Sequence, residues 1–326
     1  MNKFNPRTLL VDGEFYLHRV LHIPEIADLK TSLGEQTGGV YGVLHTLYLS
    51  LLKFPAVQKC IVVFDTGHSI RRMELFPEYK ANRKPKPGEE EAYALSKIAF
   101  QKQKDLLLES LPLFGTRLAV LPCKEGDDIL GWYAKECRED LVIATEDKDM
   151  LQLINDHVAV FQPIKDNFVS NLNFRTVTGI IKPLFLLRKA IVGDASDNIP
   201  GVPTVGATTA DRLLKVAEDL TAQRKIRTLQ DALVQSVGIQ RDVDTRNRKR
   251  YDRILESMDV ISRNLKLMDI RLEPFSGEED SELRRVLDSS SGIFQEMKAL
   301  HFLERMEFKQ LTAGWAEFSR PFRSLK

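Results

Sequence analysis

The sequence has few cysteines and no long apolar run. Its 3 cysteines, Cys60, Cys123 and Cys137, are an odd number without Cys-x-x-Cys spacing. This pattern predicts reduced thiols in a cytoplasmic setting, most simply as small core residues, and no zinc site. The longest apolar stretch, 43–52, is interrupted by polar side chains, and the first residues lack an apolar segment of signal length. We therefore expect neither a membrane span nor a signal peptide.

Positively and negatively charged residues are also nearly equal in number. The chain has 47 Lys and Arg against 46 Asp and Glu, so its formal net charge of +1 neither predicts nor excludes a polyanionic partner. With 43% hydrophobic residues in 326, it can bury a sizeable core in one large domain or two smaller ones. The placement of charges along the chain must therefore indicate the function.

Strand and helix patterns alternate in the first half of the chain. Short apolar, largely β-branched runs predict buried strands at 8–11, 60–64, 117–121, 141–144 and 158–161. Helical spacing occurs at 40–53, 89–111, 127–138 and 149–154, and after residue 161 at 183–192, 207–217, 247–262 and 291–308. The alternation predicts an α/β fold with a mainly parallel central sheet flanked by helices, residues 1–180, followed by a helical part, residues 181–326.

Acidic residues follow most of the predicted strands. They are Asp12, Asp65, the group Glu125, Asp127 and Asp128, and the pair Asp147 and Asp149, while Asp194 and Asp197 follow a predicted helix. Ligands bind outside the carboxyl ends of the strands of an open parallel sheet. Crowded carboxylates repel one another unless a cation neutralises them, so this gathering predicts bound metal.

Carboxylate oxygens favour Mg²⁺ or Mn²⁺, and two such ions about 3.5–4 Å apart can act on both oxygens of a phosphodiester displacement. Each acidic residue alone is more commonly a turn former or a helix cap, and the cap interpretation stays open for Asp127. The prediction depends on several such positions occurring together, most of them in register at strand ends.

A basic segment and a glycine-framed turn could hold a phosphate backbone. Residues 79–86 carry Tyr79, Lys80, Arg83, Lys84 and Lys86, and the following helical pattern carries Lys97, Lys102 and Lys104. This composition suits partly single-stranded nucleic acid, with a solvated lysine-rich helix as the alternative.

The turn from Gly201 through Val202 to Gly206 opens a helix, and it could present backbone N–H groups to one phosphate. A second basic block, Arg246, Arg248, Lys249, Arg250 and Arg253, fits a duplex-backbone contact and a solvated helix equally well.

Six motifs in order carry a resemblance to a known family. VDG, FDTG with a following RR, YKANR, EGDD, TEDKD and GDASDNIPGV closely resemble the bacteriophage and bacterial 5′ nucleases of the flap endonuclease superfamily. The ordered set spans residues 9 to about 215, and the stretch 251–270 resembles the phage enzymes called ribonuclease H. The resemblance implies a catalytic domain with a helical arch at about 76–110, and a helix-hairpin-helix element at about 183–217 in a DNA-binding helical part.

The resemblance also implies roles for the residues named above. A first metal would be surrounded by Asp12, Asp65, Glu125, Asp127 and Asp128, and a second by Asp147, Asp149, Asp194 and Asp197. Lys80 and Arg83 would contact the scissile phosphate, and with Asp12, Asp65, Asp128 and Asp149 they form the expected catalytic set. The expected nucleic-acid contacts are Arg71 or Arg72, Tyr79, Lys80, Arg83, Lys84, Lys86, Gly201, Val202 and Gly206.

The resulting expectation is a metal-dependent 5′-3′ exonuclease and flap endonuclease that removes RNA primers or 5′ flaps during DNA replication by a two-metal mechanism. Its cofactors would be two Mg²⁺, replaceable by Mn²⁺, with a K⁺ at the helix-hairpin-helix. Its partners would be branched or nicked DNA and RNA/DNA duplex with a 5′ end, together with replisome proteins such as a polymerase, a clamp or a single-strand-binding protein. We expect a monomer in a bacterial or phage-infected cell. The alternatives are a catalytically inactive nucleic-acid-binding paralogue and a PIN-type ribonuclease.

Overall fold

The computed structural model describes residues 4–85, 87–222, 228–289 and 292–326. Contacts within the chain divide it into two units. The first, here called the sheet unit, comprises the chain up to His68, Pro85–Ser170 and Pro274–Lys326. The second, the helical unit, comprises Ser69–Lys84 and Asn171–Glu273. The division differs from a single boundary near residue 180, because the last segment packs with the sheet unit and residues 69–84 pack with the helical unit.

The sheet unit is built on a six-stranded sheet in the order β3-β2-β1-β4-β5-β6. Its strands are β1 Thr8–Asp12, β2 Lys59–Val63, β3 Arg117–Ala119, β4 Leu141–Ala144, β5 Val158–Gln162 and β6 Asn167–Val169. The first five run parallel, which confirms the predicted strands, and β6 pairs antiparallel with β5. The fold is therefore α/β with a mostly parallel sheet.

Helices make up most of the remaining structure. They are α1 Gly13–Leu21, α2 Pro24–Ala27, α3 Gly38–Lys53, α4 Ile70–Leu75, α5 Glu90–Ser110, α6 Gly126–Glu136, α7 Phe174–Thr178, α8 Lys182–Val192, α9 Ala207–Ala222, α10 Leu229–Val243, α11 Arg248–Glu256, α12 Met258–Met268, α13 Gly277–Asp288, α14 Glu296–Arg305, α15 Lys309–Ala313 and α16 Trp315–Ser319. Short 3-10 helices cover Leu111–Leu113, Lys148–Leu153, Thr245–Asn247, Ile270–Leu272 and Phe322–Ser324. Among the described residues, every helix is too short or too polar to cross a membrane.

The core of the sheet unit explains why its strands are almost continuously apolar. Helices cover the faces of a parallel sheet, so strand residues pointing either way are buried. Leu9 and Leu10, which are neighbours in β1 and point to opposite faces, are both fully buried. Asp12 at the end of β1 pairs in register with Val63 at the end of β2, and Val11 pairs with Ala144 at the end of β4. The loops that follow these three strands therefore leave from one edge of the sheet.

The helical unit has its own core, formed by α8 to α12. Helix α8 is joined to α9 through a two-stranded hairpin, β7 Gly193–Asp194 and β8 Ile199–Pro200. The helix expected at 247–262 is two helices, α11 and α12, because Ser257 leaves the helical conformation and caps both. The buried Asn264 of α12 donates hydrogen bonds to the carbonyls of Ala190 and Pro200, so it ties the end of α8 to the hairpin.

Candidate active site

Asp12 is the last residue of β1 and the first of the strand-end carboxylates. Its Oδ1 accepts the Phe15 N–H at 2.9 Å, which caps α1, and its Oδ2 accepts the Thr145 hydroxyl at 2.9 Å. Thr145, which directly follows β4, is fully buried and also accepts the N–H of Asp147 at 3.0 Å. One threonine thereby connects the carboxylate after β1 to the acidic loop after β4.

Asp65 lies in the loop after β2 and contacts the start of α6. Its Oδ1 accepts the Gly126 N–H at 2.5 Å. A Cβ atom on Gly126 would overlap that oxygen, so the glycine allows the helix to approach the carboxylate this closely. The sequence pattern placed these two residues in different motifs, and the structure brings them into direct contact.

The start of α6 adds three more carboxylates to this edge of the sheet. Glu125 occupies the N-cap position and is buried, with its Oε1 3.7 Å from Nδ1 of His68. Asp128, also buried, and the partly exposed Asp127 lie in the first turn of the helix. The residue at the N-cap position is therefore Glu125, and Asp127 stands inside the helix. Negative charge at a helix N-terminus is favourable, which offsets part of the cost of burial.

The last acidic pair of the sheet unit follows β4. Asp147 caps the 3-10 helix Lys148–Leu153, and its Oδ1 accepts the N–H of Asp149 at 2.7 Å. Both residues are partly exposed, so their carboxylates can be reached from solvent.

The charges of these residues act on one another. The pKa of Asp12 is raised to about 7, chiefly by burial and further by the negative charges of Asp65 and Asp147, while the Phe15 N–H and the Thr145 hydroxyl oppose the rise. Carboxylates from three separate loops therefore share one electrostatic environment. A divalent cation would relieve this repulsion.

The donor set fits a hard divalent cation, because it consists of carboxylate oxygens alone. Among the described residues, no three Asp, Glu, His or Cys side chains are already arranged to coordinate an ion. Several of these oxygens instead accept protein N–H and O–H groups. A carboxylate that accepts one such hydrogen bond keeps further lone pairs, with which it could bind a metal ion.

Asp194 and Asp197 belong to the helical unit, where each has a cationic neighbour. Asp194 accepts the Lys189 ammonium at 3.0 Å and the Ser196 N–H at 2.9 Å. Burial acts to raise the pKa of Asp194, but Lys189 and Ser196 outweigh it and hold the pKa below its ordinary value. Asp197 accepts the Arg83 guanidinium at 2.7 Å. Both carboxylates are therefore paired within this unit.

The predicted basic segment is fixed to the turn that carries these two acids. The Lys80 N–H donates to the carbonyl of Asp197 at 2.9 Å, and Lys80 adopts the left-handed conformation with φ of 56°. The Asn82 amide donates to the carbonyl of Ala195, and the Asn198 amide to that of Glu78. The backbone of YKANR is thus held in place, with the Lys80 ammonium 4.9 Å from the Tyr79 ring centroid.

Some of the expected nucleic-acid contacts lie in the interior. Arg72 is 2% exposed and donates to the carbonyl of Leu267, and Arg71 bonds the Glu273 carboxylate and the Lys266 carbonyl. Tyr79 is 7% exposed and packs in an apolar cluster, with its hydroxyl 3.3 Å from Asp197. Its ring is therefore not presented to solvent for stacking.

The remaining expected contacts vary in exposure. Lys84 and Gly206 are exposed, Gly201 is partly exposed and Val202 is buried, while Lys86 lies outside the described residues.

The strand-end carboxylates Asp12, Asp65, Glu125, Asp127, Asp128, Asp147 and Asp149 are here called the acidic edge. Sequence reasoning missed several residues that hold it in place. Thr145 and Gly126 were inside quoted motifs but had no expected role. Lys104, which was grouped with an exposed basic stripe, is 7% exposed and contacts Glu14 and the backbone of Asp65. The helical periodicity around Lys104 was the available signal, because buried Leu107 lies one turn further along α5.

The chain is similar to known proteins in sequence and in fold. A family model described as the 5′-3′ exonuclease N-terminal resolvase-like domain matches residues 7–179. A 5′-3′ exonuclease of Buchnera aphidicola (Acyrthosiphon pisum) is 31% identical over 211 residues, covering 64% of this chain and 69% of the relative. DNA polymerase I of Pseudomonas aeruginosa is 36% identical over 209 residues, covering 63% of this chain and 22% of the polymerase.

The fold is also similar to a solved structure. A bacteriophage T5 flap endonuclease, in a complex with DNA and metal ions, superposes with a TM-score of 0.57 at 20% identity, covering 92% of this chain and 99% of that one.

Proposed function

The chain belongs to the 5′-3′ exonuclease family and is a phosphodiester hydrolase, and we propose that it is a structure-specific 5′ nuclease acting where a 5′ end meets a duplex. The substrates would be 5′ flaps, nicked duplexes and RNA primers on DNA, removed during replication. The observation that supports this proposal most directly is the gathering of carboxylates at one edge of the parallel sheet, where Thr145 connects Asp12 to Asp147 and the Gly126 N–H connects Asp65 to the start of α6. The family relationship supports the direction of attack, from the 5′ end.

The metal ions expected for this chemistry would be held by carboxylates of the strand-end loops. In this proposal Asp12, Asp65, Glu125, Asp127 and Asp128 hold one Mg²⁺, and Asp147 and Asp149 contribute to holding the other, with Mn²⁺ as a substitute. When bound, the two ions would activate water and stabilise the charge that develops on the phosphate. The similar T5 enzyme was crystallised with metal ions and DNA, which supports the metal dependence of the proposed reaction.

The chain's own residues would supply position and charge. Thr145 holds the Asp12 carboxylate, and the Gly126 N–H holds that of Asp65, so both are aimed before any ion binds. Lys80 and Arg83 would hold the scissile phosphate, and the fixed backbone of their segment reduces the entropy lost when they do so. For Arg83 this requires exchange of its ion pair with Asp197 for a phosphate oxygen.

The turn 201–206 between α8 and α9 would bind the duplex as a helix-hairpin-helix, with a K⁺ ion at the turn. Backbone contacts of this kind do not distinguish base sequences, so specificity would come from the junction of single and double strand.

A monomer would suffice for this reaction. Contacts with a polymerase, a clamp or a single-strand-binding protein in a bacterial or phage-infected cell complete the proposal.

The experiment is a comparison of substrates under single-turnover conditions with Mg²⁺. The wild-type protein is incubated with a 5′-flap DNA, an RNA primer on DNA and a free single-stranded RNA of the same sequence, all labelled at the 3′ end. We expect cleavage of the two duplex substrates near the junction, leaving a 5′ phosphate, and little cleavage of the free RNA. Preferential cutting of free RNA would instead support a PIN-type ribonuclease.

A pair of matched variants tests whether the reaction depends on the acidic edge. Asp128→Asn replaces one buried carboxyl group by an amide of almost the same shape, and Asp105→Asn makes the same change at an exposed position of α5. We expect Asp128→Asn to slow cleavage at least 100-fold and Asp105→Asn to behave as wild type. Equal cleavage rates in both variants would show that Asp128 is not needed for catalysis.

A further inference from the structure

Helix α11 and the 3-10 turn before it carry a cluster of exposed cationic side chains, here called the cationic face. Its five members all lie within eight residues and are all exposed: Arg246, Arg248, Lys249, Arg250 and Arg253. The opposite face of α11 is anchored by Tyr251 and Ile254, which are fully buried in the core of the helical unit. The cations are thus displayed on a helix whose orientation is fixed by packing.

The charges of this face are not neutralised by nearby acids. Arg250 donates to the amide oxygen of Asn247 at 2.8 Å, and Arg253 donates to the Thr204 hydroxyl at 2.6 Å, and both acceptors are neutral. No carboxylate of the described residues forms an ion pair with any of the five cations. Of the two acids in the helix, Asp252 is paired with Arg241 at 2.7 Å, and Glu256 is exposed at the last position.

Arg253 connects this face to the turn between α8 and α9. Residues 201–210, which form the turn and open α9, contain no Lys or Arg. The turn therefore has no cationic side chain of its own. The Arg253 guanidinium reaches it through the hydroxyl of Thr204, which adopts the left-handed conformation with φ of 65°.

We propose that the turn 201–206 and the cationic face of α11 form one surface that binds the phosphate backbone of duplex nucleic acid, with Arg253 joining the two parts. The inference rests on the proposed function, and it adds the residues that would supply positive charge where the protein binds the duplex. From Arg246 to Arg253 the chain advances roughly 10 Å at the rise of a helix, similar to about three steps along one DNA strand.

The composition of the face favours nucleic acid over a protein partner. Protein interfaces have an apolar or aromatic centre, whereas the exposed positions 246, 248, 249, 250 and 253 are all Arg or Lys. Flexible cations without apolar neighbours give binding through phosphates, which is strong at low salt and independent of sequence.

The test is the salt dependence of duplex binding by the full chain. Binding of a nicked duplex is followed by fluorescence anisotropy between 50 and 200 mM salt without Mg²⁺, so that no cleavage occurs. The variants are Arg253→Ala, the double variant Lys249→Ala/Arg250→Ala, which does not touch the turn, and the control Lys298→Ala/Arg320→Ala at exposed positions of the sheet unit. Circular dichroism and thermal unfolding check that each variant is folded.

We expect the double variant to bind about 10-fold more weakly at the lowest salt concentration, with the slope of log affinity against log salt reduced by about 2. Arg253→Ala should reduce the slope by about 1, and the control should match the wild type. Unchanged affinity and slope in both Arg253→Ala and the double variant would overturn the inference. The proposed function would then still stand if the wild type cuts 5′-flap DNA, and it would fall separately if it does not.

Discussion

Lys104 donates a hydrogen bond from its ammonium group to the backbone carbonyl of Asp65 at 2.5 Å, and it pairs with the Glu14 carboxylate at 2.9 Å. Its side chain is 9% exposed. Helix α5 thereby fixes the loop after β2, whose carboxylate accepts the Gly126 N–H. The position of a candidate metal ligand thus depends on a lysine almost 40 residues away, which the sequence grouped with surface charges.

Lys104→Met should lower the free energy of unfolding and misplace Asp65. Removing the ammonium leaves the Glu14 carboxylate and the Asp65 carbonyl without this donor, a loss of roughly 1–3 kcal/mol. The measurement is urea-induced unfolding together with the Mg²⁺ concentration that gives half-maximal cleavage, which we expect to rise. Lys102→Met, two residues earlier and exposed, is the control. Equal behaviour of the two variants would contradict a positioning role for Lys104.

The three cysteines should differ sharply in reactivity. Cys60 is fully buried and its pKa is raised to about 12 by burial, although the charge of Arg117 lowers it slightly. Cys123 is exposed, contrary to its expected place in the core, and Cys137 is partly buried with a pKa raised by burial. At pH 8 a thiol reagent should therefore label Cys123 first and Cys60 only after unfolding. Rapid labelling that persists in Cys123→Ser would show that another thiol is accessible in the folded chain.

The C-terminal segment should contribute strongly to the stability of the sheet unit. The Phe322 ring is fully buried and lies 5.3 Å from the ring centroids of both Phe114 and Phe318. Phe322→Ala should cost about 3–5 kcal/mol through lost burial and the cavity left behind. Urea-induced unfolding measures this loss, with exposed Arg320→Ala as a control near zero. A loss below about 1 kcal/mol would mean that the segment is not packed as described.

The sequence predicted the five parallel strands and the acids of the sheet edge for a physical reason. Strands buried on both faces must be almost continuously apolar, and the first polar residue after such a run marks the end of the strand. Asp12 shows this directly, because it follows four buried residues and ends β1. Strand β6 escaped prediction because it begins with the polar Asn167 and only its last residue is buried, so it has no apolar run.

Side-chain burial that depends on distant contacts could not be read in the same way. Arg72 and Tyr79 stand in a basic, aromatic stretch that is typical of a surface, yet the Leu267 carbonyl and the apolar cluster around Tyr79 come from residues more than a hundred positions later. Local composition does not predict such contacts. The same limit applies to Thr204 and Arg253, which are brought together only by the packing of the helical unit.

The central claim is that the acidic edge of the sheet binds divalent metal, and calorimetric titration of Mn²⁺ into the metal-free, DNA-free chain tests it most directly. The account predicts saturable binding of two ions per chain, weakened at least tenfold by Asp65→Asn and unchanged by the exposed Asp105→Asn. Absence of saturable binding, or equal binding by Asp65→Asn and wild type, would contradict it.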